Sequence, residues 1–337
     1  MRDVGVDLHT NSITACFRLK SGKEKVAEYP LKNLEIFKNH LRKDDRVAVE
    51  ATGNTRFFVE AIKDKVKEVK VIDPNKFNVI KSSVNKTDAN DAKNIAFFLS
   101  KDMLPEARTK TQTQAQLSSM VGTRDKFVKL KTVLINKIHN ILNARGIKSK
   151  KEAYSSDIGL RRVFNYDIDE NAKFELEIII NQILSLNESI KKLNKKIEDV
   201  GSSFKGYSNL TSIKGIGAKS ASILLSVIGN VKDFPTEDKL AAYFGIVPRV
   251  SSSNQTIHHG RITKRGSKIG RTTLVQCSLI ALRYNPYLQK FYSRIQRKKG
   301  SGKAIIAVAR KLLGIIYKTL MYNWTFTDFP NYKYVTV

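Results

Sequence analysis

Within the first hundred residues the apolar runs come in an order that few folds can satisfy. "VGVDL" (4–8) is a short strand, followed by "SITACFRLK" (12–20) and "KVAEYPL" (25–31), the last two split by the turn signal "SGK". "LEIFKNHLRK" (34–43) has helical spacing, "DRVAVEA" (45–51) is a strand and "TRFFVEAIKDK" (55–65) a helix. "VKVID" (69–73) is a strand stopped by Pro74, and "DANDAKNIAFFLS" (88–100) is a helix opened by an aspartate. Strands joined by tight turns pair antiparallel, whereas strands separated by a helix pair parallel through a crossover. The first three strands are therefore expected to pair antiparallel, and the two that follow to be joined through helical crossovers.

That order resembles a ribonuclease-H-like α/β domain, here placed at residues 1–110, with the helix of 111–146 a possible addition to it. The middle of the chain, 111–203, is helical and polar. "QAQLSSMVGTRDKFVKLKTVLINKIHNILNARGI" contains no proline, and "KSKKEAYSSD" loosens the pattern. Leu176, Ile179, Ile183, Leu186, Ile190, Leu193 and Ile197 then recur at alternating steps of three and four. This is either a coiled-coil seam or the buried stripe of one bundle helix; both give an elongated helical spacer. From Phe204 to about residue 325 the texture is that of a mainly helical domain, with 326–337 as a tail. No internal repeat or low-complexity tract is visible.

Charge narrows the partner. Lys and Arg number 60 against 31 Asp and Glu, a formal net charge of +29. An excess of that size points to a polyanion. No apolar run of 18 residues exists to span a bilayer, and "MRDVGVDLHT" lacks the apolar core of a signal peptide. Cys16 and Cys277 have no metal-type spacing, and a reducing cytoplasm is the simplest setting. Nucleic acid is the expected partner and a membrane is not.

Against this background the stretch "KTDANDAKN" (86–94) stands out, because it sets Asp88 and Asp91 among lysines. Three residues apart, they share a helix face. Asp7 lies near the end of the first strand and Glu50 at the end of the fourth, strands that the resemblance to a ribonuclease-H-like sheet implies are neighbours. Clustered carboxylates repel, and a hard divalent cation, Mg²⁺ or Mn²⁺, relieves the repulsion. A pair of such ions can hold the attacking and leaving oxygens of a phosphodiester. Lys86 and Lys93 would then meet phosphates. Alone, Asp88 reads equally well as a helix N-cap. "GVDLHTNS" is also similar to the first phosphate loop of actin-like ATPases, but His9 stands where that loop needs a glycine, and no Gly-rich nucleotide loop follows.

Two later segments suit phosphate. "IKGIGAKSASILL" is similar to half of a helix-hairpin-helix element: Gly215 and Gly217 allow a tight turn, and the next helix start, with Lys219, aims backbone N–H groups at a phosphate. "RVSSSNQTIHHGRITKRGSK" reads as a Ser/Gly/basic loop with Arg261, Lys264, Arg265 and Lys268. Its serines and His258 and His259 do not by themselves identify a nucleophile.

Taken together, these motifs resemble the DEDD transposases of bridge-RNA-guided insertion sequences, a family that includes the Piv-type DNA invertases. "GVDLHTNSI", "VAVEATG", "VIDPNKF" and "KTDANDAKNIA" are similar to its RuvC-like catalytic domain. "GIGAKSASILLSVIG", "FPTEDKLAAYFGIVPRV", "HHGRITKRGSKIGRTTL" and "LRYNPYLQKFYSRI" are similar to its C-terminal transposase domain. The resemblance implies that Asp7, Glu50, Asp88 and Asp91 form a metal-binding acidic tetrad. It also implies a serine nucleophile that links covalently to DNA. Counting back from "HGRITK" places that serine at Ser253, with Ser252 next in order; Asn254 follows where the family has glycine. A homo-oligomer acting in the cytoplasm on donor and target DNA, guided by a structured RNA, is implied as well. A RuvC-like junction nuclease, an invertase without an RNA guide and a non-catalytic nucleic-acid-binding relic are the alternatives.

Overall fold

The computed structural model describes residues 1–74, 76–77, 87–253 and 256–327. They fall into two compact units, Met1–Lys110 and Thr111–Val337. Among the described residues no helix is long and apolar enough to cross a membrane.

The first unit is an α/β layer structure. Its strands are β1 (Arg2–Leu8), β2 (Ser12–Leu19), β3 (Glu24–Pro30), β4 (Arg46–Glu50) and β5 (Glu68–Ile72). Its helices are α1 (Leu34–His40), α2 (Thr55–Ile62) and α3 (Asp88–Ser100). The sheet order is β3-β2-β1-β4-β5. β1 pairs antiparallel with β2 and parallel with β4, so the first and fourth strands are neighbours.

As the middle strand, β1 is covered on both faces, and its alternation sorts the side chains. Val4, Val6 and Leu8 enter a core with Phe37 of α1 and Phe58 and Ile62 of α2. The odd positions face α3. A Cβ at Gly5 would lie 2.2 Å from the carbonyl oxygen of Ala92 and 2.3 Å from the nitrogen of Ala96. Only glycine lets the α3 backbone come this close to the strand. Cys16, Ala92 and Ala96 share one buried cluster, and Ile95 and Leu99 pack with Ala48 and Ile72. In that setting burial pushes the Cys16 thiol up to about 11, with the Glu24 carboxylate adding to the shift. It stays a neutral core thiol at physiological pH.

The second unit is mainly helical: α4 (Gln112–Asn143), α5 (Asp157–Arg161), α6 (Glu170–Ser202), α7 (Tyr207–Thr211), α8 (Ala218–Ile228), α9 (Glu237–Phe244), α10 (Lys268–Ala281), α11 (Pro286–Lys299) and α12 (Ser301–Met321). α4 and α6 run antiparallel. Lys137 pairs with Glu175 at 2.9 Å, Lys131 donates to Asn187 at 2.7 Å, and Arg124 donates to Asn194 at 3.1 Å. The expected seam is thus one half of a hairpin of helices. Leu176 and Ile183 are buried with Ile138 and Leu142 at one end. Ile197 is buried with Leu117, Val121 and Ile223 of α8 at the other. Leu186, Ile190 and Leu193 between them are only half-buried. α7, α8, α9, α10 and α12 enclose the largest core, which includes Leu224, Phe244, Leu274, Leu312 and Ile316.

The serine-rich stretch differs from its reading as a loop. It is a two-stranded hairpin, β6 (Pro248–Ser253) and β7 (Thr256–Ile262). Serine and glycine read as loop formers, but "TIHHGRI" supplies β-branched partners, and an irregularity between Pro248 and Val250 absorbs the misfit. The base of the hairpin is anchored on α9. Thr263 N donates to Val247 O at 2.9 Å and Lys264 N to Gly245 O at 3.0 Å. Gly266, at φ +105°, lies so close to Tyr243 that a Cβ would stand 2.0 Å from its carbonyl oxygen.

Candidate metal centre and nucleic-acid surfaces

Asp3, Gly5 and Asp7 follow one another on the α3 face of β1, so the docking of α3 decides what Asp7 meets. Two contacts set it. The Gly5 contact seats the helix at Ala92 and Ala96. Farther on, Arg46 of β4 donates through Nε to Asp3 at 2.7 Å, through Nη1 to Asp102 at 2.7 Å and through Nη2 to the carbonyl of Leu99 at 3.0 Å. With its far end tied down, α3 presents its first turn at the end of β1.

Thr87, not Asp88, is the N-cap: its side chain accepts from Asn90 N. Asp88 is freed from capping and turns toward the strand end. Oxygen and nitrogen atoms of Asp7, Asp88 and His9 all lie within 4.8 Å of one another. His9 Nε2 is 3.2 Å from Asp7 Oδ2 and 3.2 Å from Asp88 Oδ2. Asp91, one turn on, is 6% exposed. Glu50 ends β4 one residue beyond Val49, whose partner Val6 immediately precedes Asp7. Its strand end is fixed because Thr55 Oγ donates to the Glu50 carbonyl at 2.6 Å. Acidic groups at a helix N-terminus also gain from the helix dipole.

The set fits a divalent cation. Carboxylate oxygens are the donors that Mg²⁺ and Mn²⁺ prefer, and an imidazole nitrogen is accepted by transition ions. Of the expected tetrad, Asp7 and Asp88 come together within the group of donors just described, Glu50 ends the neighbouring strand, and Asp91 is buried on the same helix as Asp88. His9 was not among the expected site residues. The signal was present in "VDLHT", where residues two apart near a strand end share a face.

The expected phosphate contacts are spread over both units. Lys86 lies outside the described residues, and Lys93 is exposed on α3. Gly215, at φ +108°, turns the chain between α7 and α8, and a Cβ there would stand 2.8 Å from Ala281 N. Its glycine therefore serves packing against α10. Gly217 is the exposed N-cap position of α8. Lys219 is half-buried; burial lowers its ammonium pKa, the Arg124 charge adds to the shift and Glu198 opposes it. Arg261, Lys264, Arg265 and Lys268 are all exposed around the base of the β6–β7 hairpin. Ser253 is the last residue of β6, paired with Thr256, while Ser252 pairs with Ile257 and Ser251 with His258.

A further basic face was not anticipated. On α11, Lys290, Arg294, Arg297 and Lys298 line a surface depression of about 460 Å³ with Gln289 and Ser293. The helix carries no acidic residue. Its signal was the spacing of "KFYSRIQRKK", which brings cations round to one side every three or four residues.

Residues 4–145 match the model of a DEDD transposase family named for IS110, and residues 207–293 match the transposase IS116/IS110/IS902 family. The chain is similar to the transposase for insertion sequence element IS1111A of Coxiella burnetii, 27% identical over 291 residues, 83% of this chain and 79% of that protein. It is 24% identical over 282 residues to the transposase for insertion sequence element IS1328 of Yersinia enterocolitica, covering 80% of this chain and 82% of that one. A pilin gene-inverting protein of Moraxella bovis is 26% identical over 342 residues, 96% of this chain and 97% of its own length.

Proposed function

We propose that the chain, whose residues 4–145 and 207–293 match transposase family models of the IS110 and IS116/IS110/IS902 type, is an insertion-sequence transposase that cuts and rejoins DNA with a divalent cation and a covalent serine–DNA intermediate. The reading rests on one observation above the rest: Asp7, His9 and Asp88 converge where β1 meets the start of α3. Asp7, Glu50, Asp88 and Asp91 hold Mg²⁺ or Mn²⁺ in a RuvC-like, ribonuclease-H-like domain. When bound there, the cation polarises the scissile phosphate and stabilises the charge that develops on its oxygens.

The chain's own groups do the rest. The four carboxylates would hold the ion. Arg261, Lys264, Arg265 and Lys268 hold the DNA backbone beside the β6–β7 hairpin, and Lys86, Lys93 and the Gly215–Lys219 turn add further backbone contacts. Ser253 Oγ loses its proton and forms a new bond to phosphorus as the bridging P–O bond of the strand breaks. The deoxyribose oxygen leaves and takes up a proton. Attack on the phosphoserine by a deoxyribose hydroxyl of another strand rejoins the DNA and restores the serine. A structured RNA chooses donor and target, and the protein acts as a homo-oligomer in the cytoplasm.

The resemblance to a pilin gene-inverting protein over nearly the full length of both chains favours a second reading, inversion of a DNA segment in place of transposition. One assay separates the possibilities. Purified protein, with and without RNA transcribed from the DNA flanking its gene, is incubated with paired donor and target duplexes. Transposition gives joined products dependent on that RNA; inversion gives products from inverted sites on one DNA without it. Wild type should leave an adduct that survives denaturation, which Ser253→Ala lacks. Asp7→Asn and Asp88→Asn should lose strand joining. An adduct formed normally by Ser253→Ala would reject the serine, and joining that persists in a strong chelator would reject the metal.

A further inference from the structure

We infer that His9 is a metal ligand of this centre, and that its nitrogen makes the site take Mn²⁺ and related transition ions in preference to Mg²⁺; the inference rests on the metal-site reading above.

The backbone of His9 is held from two sides. Its N–H donates to Ser12 O at 3.0 Å, closing the turn between β1 and β2. Its carbonyl accepts from Asn54 Nδ2 at 3.2 Å. Asn54 is in turn part of the loop that follows Glu50, where Thr52 N donates to Thr55 Oγ at 2.7 Å and Thr55 Oγ donates to the Glu50 carbonyl at 2.6 Å. The loop that positions one expected ligand therefore also delivers the imidazole.

The distances then discriminate between two accounts of the contact. Nε2 stands 3.2 Å from one oxygen of Asp7 and 3.2 Å from one oxygen of Asp88. A ring nitrogen carries at most one hydrogen, and a single N–H points well at only one acceptor. A cation shared by all three atoms has no such conflict. Donors adjacent around an octahedral ion with bonds of about 2.1 Å stand roughly 3 Å apart. His9 Nε2 already has that spacing to each carboxylate oxygen, all three atoms lie within 4.8 Å of one another, and the His9 side chain is 47% exposed, so an ion reaches it from solvent.

Donor chemistry gives the consequence. Mg²⁺ prefers oxygen ligands and gives up water reluctantly, whereas imidazole nitrogen suits first-row transition ions. An all-carboxylate centre would discriminate little between Mg²⁺ and Mn²⁺; replacing one oxygen by nitrogen tilts it toward Mn²⁺.

The test uses the full chain and Mn²⁺ itself as the probe, free of DNA. Wild-type protein should bind Mn²⁺ with a nitrogen hyperfine coupling in pulsed electron paramagnetic resonance. His9→Ala should lose that coupling and bind Mn²⁺ more weakly by on the order of tenfold, while Mg²⁺ affinity, read by competition, moves by less than about threefold. His9→Asn, which keeps a polar side chain, should melt like wild type and also lack the coupling. Asp7→Asn should weaken both ions, tying the bound metal to this centre. Mn²⁺ bound by wild type without nitrogen coupling overturns the inference and leaves the carboxylate centre standing. Coupling that survives in His9→Ala, or equal losses for both ions, overturns it as well. No Mn²⁺ binding by wild type overturns both readings.

Discussion

Gly5 shows how much one missing methyl group decides. With any Cβ, the strand would sit 2.2 Å from the Ala92 carbonyl, which no side-chain movement can relieve because the obstacle is backbone. Gly5→Ala should therefore lift α3 and cost about 1–3 kcal/mol, the usual range for an overpacked core. Because Asp88 and Asp91 ride on that helix, Mn²⁺ affinity should fall with stability. Thermal unfolding and metal titration of the same variant check this; unchanged affinity in a destabilised protein would mean that the seat of α3 does not position the carboxylates. The motif "VGVD" could be read from sequence as a strand ending in an acid. That its glycine is a docking point for a helix more than eighty residues later could not.

At the scale of elements, the acidic centre is a matter of how two ends of α3 are fastened. Arg46 holds the C-terminal end through Asp3, Asp102 and the Leu99 carbonyl. Asp3 is 6% exposed, so removing its partner would strand a buried carboxylate. Arg46→Met should destabilise by about 3–5 kcal/mol, the cost of breaking a buried pair from one side. Replacing Asp3 and Arg46 together with apolar residues should recover much of the loss, and chemical denaturation of the two variants beside wild type measures it. A single variant no less stable than wild type would remove Arg46 from this role. The β6–β7 hairpin follows the same logic. Its base is tied to Gly245 and Val247 in the segment just after α9, so the exposed cations around it are carried on a fixed frame.

For the whole molecule the governing quantity is charge. A net +29 attracts polyanions, and each phosphate neutralised in B-DNA contributes roughly −0.9 to the slope of log affinity against log salt. Lys264→Ala and Arg265→Ala should each reduce the magnitude of that slope by about one unit. Fluorescence anisotropy with a labelled duplex over a salt series reads the effect directly. An affinity indifferent to salt would argue against backbone contacts as the source of binding. The positive charge occupies separate places: Lys93 on α3, the cations near the hairpin, and the face of α11 with Arg294 and Arg297.

Local patterning was enough to determine the five strands and three helices of the first unit, because period-two and period-three-to-four apolar spacing is written into adjacent residues. It also determined the two long helices of the second unit and pointed to a polyanion partner, while the four carboxylates were singled out by family resemblance. Tertiary structure alone decided the rest. That α4 and α6 form an antiparallel pair depends on which stripes meet, and a seam of Leu176 to Ile197 looks the same in either direction. That the serine stretch is a hairpin depends on cross-strand partners, since serine and glycine favour no strand by themselves. And His9 joined Asp7 and Asp88 because a turn to Ser12 and an amide from Asn54 carried its ring to them. The pairing with Asp7 is local, but the bond from Asn54 lies 45 positions away and Asp88 lies on a later helix, and no short window along the chain contains them together.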